Sequence, residues 1–336
     1  MARIGIIGSG TWGTALSILL CGNGHEVQVW SALPQEIAQL KETRIHPNLP
    51  QVTLLEEIRL TDDLAEAVKD KDLLVLSVPS VFVRETARKM KDLVKQGQVI
   101  VNVAKGIEES TLMTLSQVIE EELPQAEVAV LSGPSHAEEV SRGLPTTCVA
   151  GAKHRSTAER IQGMFMSESF RVYTSPDVMG IELGGALKNV IALAAGIADG
   201  LGFGDNTKAA LITRGIAEIA RLGVVLGGKR ETFSGLTGIG DLIVTCASMH
   251  SRNRRAGILM GQGKTMEEAM KEVHMVVEGV YSAKAALQLS KEHEVSMPIV
   301  EQVNGILFEG RPAKEAVLEL MLRDKQIENP GLAWEE

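Results

Sequence analysis

Between residues 3 and 173, short apolar runs rich in β-branched residues alternate with amphipathic stretches. The runs at 4–7, 27–30, 73–78, 99–102, 128–131, 147–150 and 171–173 have strand length, and the stretches at 14–21, 64–69, 83–93, 111–121 and 157–165 space their apolar residues as helices do. This alternation predicts a doubly wound α/β domain, a parallel sheet with crossover helices. The run at 73–78 is almost unbroken apolar sequence ended by Pro79, as expected of a strand covered on both faces. Beyond Ser175-Pro176-Asp177 strand signals nearly vanish, and helical spacing takes over at 178–199, 207–226, 265–270, 282–290 and 313–322. The pattern therefore divides the chain near residue 176, into a sheet domain of residues 1–176 and a helical domain of residues 177–336.

Of the 336 residues 44% are apolar and 23% charged, a globular balance that excludes disordered, collagen-like and coiled-coil classes. With 34 Lys and Arg against 43 Asp and Glu, the net charge of −9 argues against nucleic acid or an anionic membrane as the main partner. Any anion must then be bound locally. Cys21, Cys148 and Cys246 are too widely spaced for a disulfide framework or a zinc site, and reduced thiols point to the cytoplasm. No metal is expected either, because His25, His46, His136, His154, His250, His274 and His293 show no ligand spacing. The apolar run at 4–7 is too short for a signal peptide, and the longest apolar stretch, 179–198, is interrupted by Glu182, Lys188 and Asn189, which argues against a membrane span. The acidic clusters at 120–122 and 335–336 read as solvated ends.

Candidate chemistry begins at Gly8-Ser9-Gly10-Thr11-Trp12-Gly13, a G-x-G-x-x-G loop directly after the first strand and opening the first helix. In such loops the first glycine permits the turn, the second lets the backbone approach a pyrophosphate, and the third lets helix and strand pack closely. The helix N-terminus then offers free N–H groups to the phosphates, so NAD or NADP is the expected cofactor. Selection between the two is usually made at the end of the second strand by an acidic residue or an arginine. That place reads Val29-Trp30-Ser31-Ala32, which supplies neither and leaves the preference open.

A dehydrogenase also needs an acid/base and a substrate grip. Lys188 is the one ammonium in the apolar stretch Leu183-Gly184-Gly185-Ala186-Leu187-Lys188-Asn189, where it must face a pocket or a partner, with Gly184 and Gly185 leaving room for a ligand on that face. Asp241, between glycine turns and an apolar run, is either a turn or cap residue or the carboxylate that orients and charges a catalytic lysine. In Ser251-Arg252-Asn253-Arg254-Arg255, Arg252 has the setting of a phosphate clamp, while Arg254 and Arg255 fit an exposed surface. Lys105 and the loop Ser132-Gly133-Pro134-Ser135-His136-Ala137 follow strands, where open α/β sheets bind ligands.

Taken together these motifs resemble one family closely, the bacterial-type NAD(P)-dependent glycerol-3-phosphate dehydrogenases. The resemblance spans nearly the whole chain, through GSGTWGTAL, VAKGIE, LSGPSHAEEV, LGGALKNVIALAAGIADGLGFGDNTKAALITRG, GLTGIGDLIVTC, SRNRR and VVEGV in that order. It implies a Rossmann-like N-terminal domain, an all-α C-terminal domain, and interconversion of dihydroxyacetone phosphate and sn-glycerol 3-phosphate for phospholipid synthesis. It further implies Lys188 as acid/base, with Lys105, Gly133, Ser135, Asp241, Ser251, Arg252 and Asn253 at the substrate. Ser9, Trp12, Lys105, Ala137, Arg252, Val276 and Glu278 would contact the cofactor. The sequence departs from the family at Ser31-Ala32, where many relatives carry arginine, and matches it loosely over 44–50. The alternatives are a β-hydroxyacid dehydrogenase of the 6-phosphogluconate or hydroxyisobutyrate type, and a non-catalytic NAD(P) sensor. Leu- and Ile-rich helices of the second domain could supply a homodimer face.

Overall fold

The computed structural model describes residues 1–325, 327, 328 and 335; Glu336 of the C-terminal acidic pair lies outside them. Eight strands form one sheet: β1 (Arg3–Ile7), β2 (Glu26–Trp30), β3 (Arg59–Thr61), β4 (Leu73–Leu76), β5 (Val99–Asn102), β6 (Glu127–Ser132), β7 (Thr146–Ala152) and β8 (Phe170–Ser175). Their spatial order is β3-β2-β1-β4-β5-β6-β7-β8. The chain moves outward from β1 to β3 and then returns across β1 to β4, so a crevice opens at the carboxyl ends of β1 and β4, the usual ligand position in such sheets. Helices that position the site are α1 (Thr11–Gly22), α2 (Pro34–Thr43), α3 (Ala137–Val140), α4 (Val178–Gly200), α5 (Asp205–Val225), α6 (Asp241–Ala247), α7 (Arg252–Gly261), α8 (Glu278–Glu292) and α9 (Pro298–Phe308).

The architecture is the expected Rossmann-like sheet followed by a helical domain, with two main differences in the sheet domain. Strand β7 runs antiparallel to β6, whereas the other neighbouring pairs are parallel. Between Ser132 and Thr146 stands only the four-residue α3, too short for the crossover that a parallel pair requires. The other difference is that β3 and α2 gave no signal. Strand β3 has three residues at the sheet edge, and α2 buries only Ile37 and Leu40, too narrow an apolar stripe to show as a period.

Helix α4 organises the second domain and is buried without a break from Gly180 to Ala198. It is long and apolar enough by composition to cross a bilayer, yet its apolar window is entirely covered by protein, which marks it as a core helix. Asp177 ties its start to the chain ahead, accepting from Gly180 N at 3.0 Å, Lys229 N at 2.8 Å and Thr232 Oγ1 at 2.5 Å. Such multiple hydrogen bonds are what keep a buried carboxylate tolerable.

Candidate active site

The glycine loop divides its labour as the motif requires. Gly8 has φ 123°, open to glycine, and a Cβ at Gly13 would lie 2.1 Å from the Gly8 carbonyl oxygen, so both glycines serve chain packing. A Cβ at Gly10 would meet nothing within 4 Å. That open side faces the inter-domain cleft, and α1 starts at Thr11 with no side-chain cap on its free N–H groups. Residues and space both fit the pyrophosphate of a dinucleotide.

The cleft encloses about 860 Å³. Gly10, Thr11, Trp12 and Ala137 reach its wall from the sheet side, and Lys188, Arg252, Val276 and Glu278 from the helical side. Lys105, Ser135, Ser251 and Asn253 join them. Gly8, Ser9, Gly13, Gly133 and Asp241 stand behind this wall. Gly133 accepts Lys105 Nζ at 3.1 Å and Ser135 Oγ at 3.0 Å through its carbonyl. Asp241 is 1% exposed and both its oxygens are occupied, so it acts through the lysines.

Lys188 Nζ donates to Asp241 Oδ1 at 2.5 Å and to Thr245 Oγ1 at 2.6 Å; Lys105 Nζ donates to Asp241 Oδ2 at 2.6 Å. Two ammonium groups from different domains thus share one carboxylate. The local fold explains the meeting. Leu236–Gly240 winds as a π turn into α6, which puts Asp241 and Thr245 one turn apart on the same face. Gly184, one turn before Lys188, lets that turn approach, since a Cβ there would stand 2.5 Å from Thr237 O. At Gly185 a Cβ would meet Ser132 Oγ at 3.2 Å and Lys105 Cγ at 3.5 Å. The glycine pair therefore admits protein, not the ligand anticipated from sequence.

Burial pulls the Lys188 ammonium down to about 8; Asp241 opposes the fall and Lys105 adds to it. Burial by itself would raise Asp241, but the two ammonium groups outweigh it and hold the carboxyl below its ordinary value. A lysine near 8 exchanges protons readily near neutral pH. His136 beside it is pushed down to about 4 by burial, then by Lys188 and His250, so its ring is neutral. Among the described residues its buried Nε2 has no hydrogen-bond partner.

Arg252 lines the cleft, and among the described residues it forms no ion pair. Arg255 lines it too, with a buried Nε that has no hydrogen-bond partner among the described residues. The exposed surface expected for Arg254 and Arg255 is not what the fold makes of them. Arg254 turns to the far face of α7 and pairs with Asp199 at 2.8 Å. Ser251 caps α7 by accepting from Arg254 N at 3.2 Å. Asn253 pins α7, donating to Asn189 Oδ1 at 2.9 Å and accepting from Gly279 N at 2.8 Å. Glu278 accepts from Ser80 N at 3.1 Å and from Ser80 Oγ, joining α8 to the loop after β4.

Sequence reasoning passed over Thr245, His250, the loop 46–52 and Glu36, named His136 only as part of its loop, and placed Arg255 on the surface, although all lie on the cleft wall. Thr245 was findable four residues after Asp241 on a helix, and Glu36 from the Pro34-Gln35-Glu36 helix start. No group of three or more metal-ligating side chains occurs among the described residues.

Residues 3–158 match the family described as NAD-dependent glycerol-3-phosphate dehydrogenase N-terminus, and residues 177–318 match its C-terminus counterpart. A glycerol-3-phosphate dehydrogenase [NAD(P)+] of Agathobacter rectalis is 65% identical over 335 residues, covering 99% of this chain and all of the relative. One from Fusobacterium nucleatum is 62% identical over 331 residues, with 98% and 99% covered. A crystal structure of glycerol-3-phosphate dehydrogenase from Coxiella burnetii superposes with TM-score 0.93 at 36% identity, over 96% of this chain and 99% of that one. By sequence over its whole length and by fold, this chain belongs to the NAD(P)-dependent glycerol-3-phosphate dehydrogenase family.

Proposed function

We propose that the enzyme reduces dihydroxyacetone phosphate to sn-glycerol 3-phosphate, reversibly and with NADH or NADPH, in the cytoplasm, and so supplies glycerol 3-phosphate for phospholipid synthesis. The observation that carries this reading is the buried Lys188 ammonium, held by Asp241 and Thr245 at the wall of a cleft that also presents the unpaired Arg252. When bound, the nicotinamide exchanges a hydride with C2 of the substrate. Lys188 gives its proton to the C2 oxygen in reduction and takes it back in oxidation. Lys105 is the second cation for charge developing on that oxygen, and Asp241 keeps both amines charged and aimed. Arg252 offers a guanidinium to the phosphate, where two parallel hydrogen bonds are available, and Arg255 stands one turn further on the same helix. Residues 1–176 then hold the cofactor and residues 177–336 carry the acid/base.

The test is NADH and NADPH oxidation by the purified protein, with dihydroxyacetone phosphate and, separately, with 2-oxo and 3-oxo carboxylic acids. Turnover of the phosphorylated ketone is expected. Preference for a carboxylate would establish the β-hydroxyacid alternative, and nucleotide binding with no turnover of either class would favour a sensor.

A further inference from the structure

We propose that Glu36 reads the adenosine ribose and makes this enzyme select NAD(H) over NADP(H). The inference rests on the cleft being a nicotinamide dinucleotide site. The end of β2 carries no acidic residue in sequence, but α2 folds back over it and returns one. Glu36 lies in the first turn of α2 and on the cleft wall. Its Oε2 accepts from Ser31 Oγ at 2.7 Å and from Ser9 Oγ at 2.9 Å. One carboxylate therefore spans the carboxyl end of β2 and the glycine loop. With the pyrophosphate at the N-terminus of α1, the adenosine ribose falls between those two points.

The bonding leaves one oxygen for a ligand. Among the described residues Oε1 of Glu36 has no hydrogen-bond partner, and no lysine or arginine pairs with the carboxylate. A ribose diol has hydroxyls to donate to it. A 2′-phosphate has none to spare and carries nearly two negative charges of its own. The arginines on this side of the cleft, Arg44 just after α2 and Arg142 on the wall, are bonded to other groups. Arg44 donates Nη1 to Ile58 O at 2.9 Å and Nη2 to Glu56 O at 3.0 Å. Arg142 donates to Glu138 O at 2.8 Å and Gln51 Oε1 at 3.5 Å. Ser31 is equally unfree, since its hydroxyl also accepts from Leu33 N at 3.2 Å.

A hydrogen bond to a charged group discriminates by about tenfold to a hundredfold. Binding of NADH and of NADPH to the wild type, followed by nicotinamide fluorescence without substrate, should show NADH tighter by about tenfold or more. In E36Q the ratio should fall toward unity, chiefly because NADPH binds better. Equal or tighter binding of NADPH by the wild type overturns the proposal, as does an E36Q protein that keeps the wild-type ratio. Should E36Q fail to fold, adenosine 5′-monophosphate and adenosine 2′,5′-bisphosphate are compared as competitors of NADH on the wild type. The monophosphate is expected to compete better, and stronger competition by the bisphosphate overturns the assignment. Selective NADH binding without oxidation by dihydroxyacetone phosphate would sustain the role of Glu36 and overturn the proposed reaction. Turnover with both cofactors used equally would do the reverse, and binding of neither nucleotide would overturn both.

Discussion

Replacing Asp241 with asparagine removes the one counter-charge shared by Lys188 and Lys105 while keeping the shape of the side chain. The bonds at stake are 2.5 Å and 2.6 Å long and 1% exposed at the carboxylate. A hydrogen bond to a charged group contributes about 1.5–3 kcal/mol. One pKa unit corresponds to about 1.4 kcal/mol, so losing the Asp241 charge should lower Lys188 a further one to two units, roughly. From about 8 in the wild type, its titration then moves to roughly 6–7. Ketone reduction needs the protonated amine, so its kcat/KM falls as pH rises through the Lys188 pKa. At pH 7.5 the protonated fraction drops from about three-quarters to about a quarter or less. Alcohol oxidation needs the neutral amine, and its rise with pH should move down by the same interval. Measuring kcat/KM in both directions across pH separates this from general damage, which lowers both limbs without moving either midpoint. Two amines left without a counter-charge also destabilise the fold, on the order of 3 kcal/mol, so thermal denaturation is recorded alongside. Midpoints unchanged near 8 in both directions would refute the idea that Asp241 sets the charge of Lys188.

Lys188→Ala should reduce kcat by about 10²-fold or more with NADH affinity little changed, because Asp241 keeps its bond to Lys105 and is not orphaned; near-normal turnover would remove Lys188 from the chemistry. Arg252→Ala should raise KM for dihydroxyacetone phosphate by about tenfold or more, and an unchanged KM would dismiss the phosphate grip. Glu218 is 3% exposed, accepts from Ile299 N at 2.9 Å at the start of α9, and is pushed up to about 7 by burial. The folded state therefore holds a proton that the unfolded chain releases near 4.5. Its contribution is fully present below that pH and is lost as pH rises through about 7, a swing of about 3 kcal/mol. Unfolding free energies of Glu218→Gln and wild type, compared from acid to neutral pH, should diverge in the variant's favour, and a pH-independent difference would contradict this assignment.

The glycine loop was legible because its demands are local. Three glycines at fixed spacing after a strand and before a helix state where a backbone turns, where it packs and where it lies open. Lys188 was legible for a comparable reason, as a lone ammonium in an apolar helix needs a partner wherever the helix goes. The helical domain was readable in outline and poorly in detail. The short α6 and α7, which bring in Asp241, Thr245 and Arg252, carry too few turns for a period to declare itself.

What the sequence determined alone was the order of elements, the cofactor loop and the residue types the chemistry needs, since each depends on neighbours within a few positions. Only the tertiary structure decided which surfaces those residues share. It used the Gly184 notch to admit a π turn and brought Lys105 and Lys188 from separate domains onto one carboxylate. It also turned Arg255 to the cleft while Arg254 paired with Asp199 away from it, and folded α2 so that Glu36 reached Ser9 across the carboxyl ends of β2 and β1. These are contacts between residues tens to more than a hundred positions apart, and they are fixed by packing against elements whose own signals are weak. Periodicity shows which face of a segment is apolar, but the partner that covers that face is chosen only when the whole chain closes.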